Sequence, residues 1–192
     1  MVNMLNPQIT NLAIILGMMQ VSKRIPFDDP TVLNGVRALY ICSNLIIVAL
    51  YYYIGMKIKS KRDLTTLKYV EPAPMGSGEE PKLVTTTIQE YDQNQLGAAY
   101  KGQLTGVAMM AFMHLYLNYT NPLLIQSIIP VKSALEGNLV KVHVFGQPAV
   151  GELKRPWKAS AGPFNMGGGE TKSDKASIEA AERSGRGGAK DE

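Results

Sequence analysis

The chain is 192 residues long, 45% hydrophobic and slightly basic, with 20 Lys and Arg against 16 Asp and Glu. Its single cysteine, Cys42, excludes an intramolecular disulfide and any cysteine-based zinc or redox motif. The apolar residues concentrate in residues 5–58 and 96–135 and leave the rest of the chain polar.

The first apolar run, Ile9 to Val21, follows Asn6-Pro7. Asn or Asp accepts a hydrogen bond from the first free N–H groups of a helix, and a following proline has no N–H to leave unsatisfied. The same pair recurs at Asp29-Pro30 and Asn121-Pro122, so three helix starts each feed an apolar run. Ile9–Val21 is short for a membrane span and lacks the basic flank and small-residue cleavage site of a signal peptide. It reads as a retained helix that either crosses or re-enters.

The second run holds the clearest signal. Ala38 to Met56 is 19 residues without a charge, about 28 Å as a helix and close to the hydrocarbon thickness of a bilayer. Tyr51-Tyr52-Tyr53 sits where amphipathic rings favour headgroups, and Lys57, Lys59, Lys61 and Arg62 follow as expected of a cytosolic end. Ile47 is expected to face lipid. Residues 59–92 then form a basic cytosolic loop after N-terminal membrane helices in 1–58.

In residues 93–137 a third helix, capped by Asp92, runs through the uncharged stretch Gly102–Thr120. Asn121-Pro122 starts a further segment that Pro130 is expected to break and Gly137 to end. LVTTTI (83–88) and VKVHVF (140–145) carry strand signals. Their pairing would require a helical hairpin about Asn121-Pro122 to bring both to one membrane face. Residues 138–158 are a short cytosolic segment with that strand. From 159 to 192 the Gly-rich, polar composition predicts a flexible tail with one isolated helical piece at Ser173–Arg183.

Polar residues inside the apolar segments are the candidate functional set. Asn11, Arg37, Asn44, Gln103, His114, Asn118 and Gln126 lie where lipid penalises them. They either line a hydrophilic groove for the polar flank of an entering polypeptide or bond neighbouring helices, with Arg37 snorkelling to headgroups. Lys57, Lys59, Lys61 and Arg62, with Lys154, Arg155 and Lys158 around Trp157, are candidate contacts for ribosomal RNA or lipid headgroups. No catalytic grouping, nucleotide loop or metal-ligand spacing is present in the sequence, so a non-enzyme without cofactor or metal is expected.

Four stretches carry a resemblance: NPQITNLAII (6–15), LTTLKYVEP (64–72), MHLYLNYTNPLLIQSIIPVKSALE (113–136) and GELKRPWKA (151–159). They resemble the fungal inorganic phosphate transport protein family of the endoplasmic reticulum membrane, also called the SRP-independent targeting protein 3 family. The resemblance implies a multi-pass protein of that membrane in a targeting route independent of the signal recognition particle. It also implies association with the Sec translocon, ribosomes, nascent membrane proteins, other targeting-pathway components and membrane lipids. An effect on phosphate uptake would then follow indirectly, through phosphate carriers as clients. The alternatives are an accessory subunit or chaperone for phosphate transporters and a structural translocon scaffold. The expected fold is an all-α integral membrane protein of about three transmembrane helices plus a short proline-broken re-entrant or returning helix, with a small cytosolic β element.

Overall fold

The computed structural model describes residues 7–72, 81–157 and 173–186. Asn6, Lys158 and the Gly-rich stretch of the tail lie outside the described residues. Among the described residues six α-helices and one two-stranded sheet follow in the order α1 (Pro7–Ser22), α2 (Pro30–Lys61), β1 (Thr66–Glu71), β2 (Lys82–Thr87), α3 (Ile88–Ala111), α4 (Asn121–Glu136), α5 (Asn138–His143) and α6 (Lys175–Arg186). The mainly helical expectation with a small β element is met. Among the described residues one helix, α2, is long and apolar enough to cross a membrane, where about three were expected.

Helix α2 begins as its sequence dictates. Asp29 accepts from the Thr31 N–H at 2.8 Å and Pro30 occupies the first turn. It ends at Arg62, whose left-handed backbone (φ 44°) directs its N–H to the Ile58 carbonyl, with Lys59 and Lys61 in the last turn beside the negative end of the helix dipole. Its buried positions are Val36, Ser43, Ile47, Ile54 and Ile58. Spacings of seven and four residues keep one stripe along a straight helix. Ile47, expected to face lipid, lies in that stripe, and its neighbours Leu45 and Ile46 face outward.

Helix α4 packs against α2, and α1 packs against α4. Buried Ser43 on α2 and Ser127 on α4 are small enough for close approach of helices. Each hydroxyl donates to its own helix four residues back, Ser43 to Leu39 at 2.7 Å and Ser127 to Leu123 at 2.8 Å, so neither leaves a buried polar atom unsatisfied. Pro130 does not break α4 as expected. Lacking an N–H, it removes the intrahelical donor of the Gln126 carbonyl, yet the surrounding residues hold a continuous helix from Asn121 to Glu136. At its start Asn121 contributes no side-chain cap; the Leu123 N–H closes the turn on the Thr120 carbonyl at 3.0 Å. Gly137 ends α4 as expected, though in an extended conformation that leads straight into α5.

Helix α3 runs antiparallel to α2, since Tyr51 meets Tyr100 while Arg37 meets His114. Two apolar clusters result. One joins Val36, Met110, Leu123 and Leu124 at the end where α3 turns into α4. The other joins Ile54, Ile58, Tyr91, Leu96, Leu139, Val140, Val142 and Trp157 at the end that carries the sheet.

Strand β2 pairs antiparallel with β1, from Thr66 opposite Thr87 to Glu71 opposite Lys82. The expected pairing of 83–88 with 140–145 does not occur. Residues 138–143 are helix α5 because Leu139, Val140 and Val142 are all buried, which an alternating strand face would not permit. The tail helix appears as α6 but is not isolated: it packs on the sheet, with Glu182 2.8 Å from Lys68.

The α2–α4 seam makes a direct prediction. Ser127→Leu forces the helices apart and destabilises the protein by about 1–3 kcal/mol, whereas Ser127→Ala removes only the bond to Leu123 and is tolerated. Thermal unfolding of the purified protein separates the two.

Candidate functional site: polar couples between apolar helices

The polar residues expected inside the apolar segments fall into couples between helices. Along the α2–α3 seam, Arg37 donates through Nε to His114 Nε2 at 3.0 Å and through Nη1 to Asn34 Oδ1 at 3.1 Å. Because His114 Nε2 accepts, its proton sits on Nδ1, which faces the Tyr119 carbonyl at 3.4 Å. Two turns along α2, Asn44 accepts a short hydrogen bond from Gln103 Nε2 and donates to the Tyr40 carbonyl at 2.8 Å. Tyr51 and Tyr100 then meet edge to face, 5.4 Å between ring centres. Positions 37, 44 and 51 share a face through their seven-residue spacing.

His114 reaches Arg37 from a π-helical turn, Phe112–Tyr116, that ends α3. The Leu117 N–H bonds the Phe112 carbonyl five residues back, and Asn118 follows at φ 55°, a left-handed position that Asn tolerates.

Asn11 belongs to a different seam. Its Oδ1 accepts from Lys132 Nζ at 2.8 Å between α1 and α4, and the same ammonium pairs with Glu136 at 2.7 Å. Lys132 was not among the expected residues, although a lysine four residues before a glutamate at the end of an apolar helix marks such a pair. Asn118 and Gln126 are exposed and join neither seam. The seven residues therefore do not lie along a single line: four share the α2–α3 seam, and Asn11 faces α4.

The basic residues divide as well. Lys57, Lys59, Lys61, Arg62 and Lys154 are exposed, and Lys57 Nζ stands 5.4 Å above the Tyr53 ring. Hydrogen bonds from the Thr65 side chain and then its backbone N–H, with smaller help from the Lys61 and Arg155 charges, hold the Asp63 carboxyl below its usual range against the opposing effect of burial. Arg155, expected at headgroups or RNA, is instead buried. It clamps Asp92 in a two-pronged ion pair, Nε to Oδ1 at 2.6 Å and Nη2 to Oδ2 at 2.7 Å, while His143 donates to Oδ2 at 2.8 Å.

Asp92 is free for this because it does not cap α3. Thr87 does, accepting from the Glu90 N–H at 3.2 Å, while the neighbouring Thr86 hydroxyl donates to the Glu90 carboxylate. The Thr-x-x-Glu spacing of 87–90 is a capping-box signal five residues ahead of the expected cap. Beside Asp92, Tyr91 accepts from the Trp157 N–H at 2.7 Å, and burial pushes its hydroxyl up to about 12 even though that bond lowers it.

Breaking the buried pair leaves a charge without compensation, so Arg155→Ala should destabilise the fold by about 3–5 kcal/mol. Tyr91→Phe, which strands the Trp157 N–H, should cost about 1–3 kcal/mol. The raised Tyr91 value contributes stability fully present below pH 10 and lost as pH rises toward 12. That part of the alkaline unfolding transition should disappear in Tyr91→Phe.

The comparisons with known proteins can be set against this geometry. The family model described as Phosphate transport (Pho88) matches residues 5–189. The chain is 53% identical over 189 residues to the SRP-independent targeting protein 3 of Saccharomyces cerevisiae, covering 98% of this chain and all of that protein. It is 38% identical over 178 residues to the SRP-independent targeting protein 3 homolog of Schizosaccharomyces pombe, covering 92% of this chain and 91% of the relative. No solved structure matches. With the family model matching residues 5–189 and both relatives covering more than nine-tenths of the chain, the chain belongs to the Pho88 family.

Proposed function

We propose that the chain is a protein-targeting factor of the endoplasmic reticulum membrane, serving an SRP-independent route beside the Sec translocon as an insertase-like component or targeting receptor. The names of its relatives support the targeting role. The carrying observation is the α2–α3 seam, where Arg37–His114 and Asn44–Gln103 place polar groups between helices whose outer faces are apolar. Leu45 is 63% exposed, Leu104 71% and Leu115 75%, and Ile9, Leu12, Leu16, Ile41 and Phe112 also face outward. An apolar surface this extensive fits lipid better than water. The α1 and α4 helices are 16 residues each, about 24 Å, so they would thin the bilayer around them and shorten the path a hydrophilic flank must cross.

A scaffold is the second reading, favoured by the way each couple already satisfies its own hydrogen bonds. A third, an accessory subunit or chaperone for phosphate transporters, rests on the family's description alone.

Photocrosslinking from probes at Asn44, Gln103 and His114 to nascent membrane proteins on stalled ribosomes, with Leu45 as the lipid-facing control, separates these readings. An insertase gives client adducts at the three polar positions and few at Leu45. Equal adducts everywhere, or none, would overturn it. The exposed Lys57, Lys59, Lys61 and Arg62 are the proposed ribosome contact. Reversing their charge should weaken ribosome co-sedimentation, with a loss that tracks salt as for any contact to RNA phosphates. Unchanged co-sedimentation with unchanged topology would remove that assignment.

A further inference from the structure

The two faces of the β1–β2 sheet have different neighbours. Side chains alternate along a strand, so Leu67 and Tyr69 share one face of β1 and Lys68 and Val70 the other. Leu67 and Tyr69 pack against the cluster of Ile58, Tyr91 and Trp157. Val70 points away from that cluster, yet it is only 6% exposed. Its cover is α6: Lys68, on the same face as Val70, reaches Glu182 at 2.8 Å, and α6 packs on both strands. The pairing of Val70 with Leu83 and of Lys68 with Thr85 extends this outer face across β2.

On α6 the half-buried residues are Ser177, Ile178, Ala181 and Glu182, which lie on one side of the helix, while Ala176, Glu179, Ala180 and Arg183 are exposed. Asp174 caps the helix, accepting from the Ser177 N–H at 3.0 Å and from its hydroxyl at 2.8 Å. A helix this short has little stability alone, so α6 depends on the sheet for its form. The sheet holds it modestly. Its inner side offers Ile178 and Ala181 as apolar contacts, and the ion pair leaves Lys68 47% and Glu182 41% exposed, where such a pair contributes little. Residues 158–172 join α6 to Trp157. That length of chain reaches roughly 50 Å at full extension, enough for α6 to leave the sheet without drawing on the Asp92 clamp.

We propose that the outer face of the β1–β2 sheet is an exchangeable docking surface for an amphipathic helix of a partner protein, and that α6 occupies it in cis as a tethered competitor. The face offers an apolar spot at Val70 and Leu83 with the Lys68 ammonium beside it. It therefore selects a helix with a carboxylate one turn after an apolar residue, the spacing α6 itself presents in Ile178 and Glu182. Tethering keeps α6 at a high local concentration, so a partner docks only above a threshold. A second copy's α6 would displace an identical helix held at higher local concentration and gain nothing. A partner helix with a larger apolar anchor than one isoleucine does gain. The docking surface does not depend on the insertase reading, because the sheet contributes no residue to the α2–α3 seam.

The test uses the full-length purified protein and, as probe, a fluorescently labelled peptide of residues 173–186 followed by anisotropy. Glu182→Lys in the chain sets two ammonium groups against each other and frees the face, so it should bind the peptide about tenfold more tightly than the parent does. Lys68→Glu also releases α6 but should reject the peptide, and a peptide carrying Glu182→Lys should restore binding to that variant. Hydrogen exchange checks the release in both variants, with α6 amides losing protection and those of α2 keeping it. Peptide that fails to bind the Glu182→Lys chain once α6 is released overturns the docking surface. So does α6 protection as high as that of α2 in both variants, which would make α6 a fixed part of the fold. Native mass spectrometry reads the occupant: a parent dimer that Lys68→Glu abolishes would place a second copy's α6 on the face and overturn the partner assignment.

Discussion

The Asp92 carboxylate holds the sheet end of the molecule together. It sits in the second turn of α3, takes two bonds from Arg155 in the extended C-terminal segment and one from His143 at the end of α5. A buried carboxylate is expensive unless its lone pairs are used, and here three donors use them. Trp157 completes the attachment: its ring lies 5.7 Å from Tyr91 and 5.1 Å from the Arg155 guanidinium, and its indole N–H reaches the Leu153 carbonyl. Segments far apart in sequence thus depend on one acid. With α5 fixed, α4 is anchored at its C-terminal end, and its start is held by Leu123 and Leu124 in the opposite cluster. Helix α4 is therefore pinned at both ends, which accounts for its running intact through Pro130.

The upper part of the bundle obeys a different constraint. Few large side chains are fully buried there, and many apolar ones face outward. In water such a pack would gain little from burial. In the proposed lipid setting, association relies on close packing and on polar groups that find partners between helices, which is the role Ser43, Ser127 and the amide couple fill. Among the described residues no buried side-chain nitrogen or oxygen lacks a partner, as a medium without water demands.

How legible this was in the sequence depends on range. The start of α2 was written in Asp29-Pro30, and the stop of α4 in Gly137, because both are settled within one turn of chain. The Thr87-x-x-Glu90 start of α3 was equally local, yet Asp92 competed with it as a plausible cap, and nothing nearby shows that Asp92 is reserved for an arginine 63 residues away. Likewise Val-Lys-Val-His-Val reads as a strand until its burial on α2 and α3 is known, and Lys154-Arg155-Pro156-Trp157 reads as a basic surface. The polar seam positions were visible as residues that lipid would reject; their partners were not, because Arg37 and His114 are 77 residues apart.

The arrangement of the polar groups along the helices follows a physical order. The neutral pair Asn44–Gln103 lies near the middle of α2, in the uncharged stretch. On α2 the charge of Arg37 lies before that stretch, and on α4 the charge of Lys132 lies in the last turns. Neutral amides lose far less than ions on leaving water, so in the proposed lipid setting this order would keep the cost low while preserving hydrogen-bonding capacity at depth. A polypeptide flank using the α2–α3 seam would meet the amide pair at the centre, Arg37 at one end and the Tyr51–Tyr100 pair at the other. An amide donor and acceptor can be exchanged for a passing backbone group at little net cost, whereas opening a buried ion pair such as Asp92–Arg155 would leave both charges unpaired. On the proposed insertase reading the seam is therefore the part that would open, and the clamp at the sheet end the part that would stay shut.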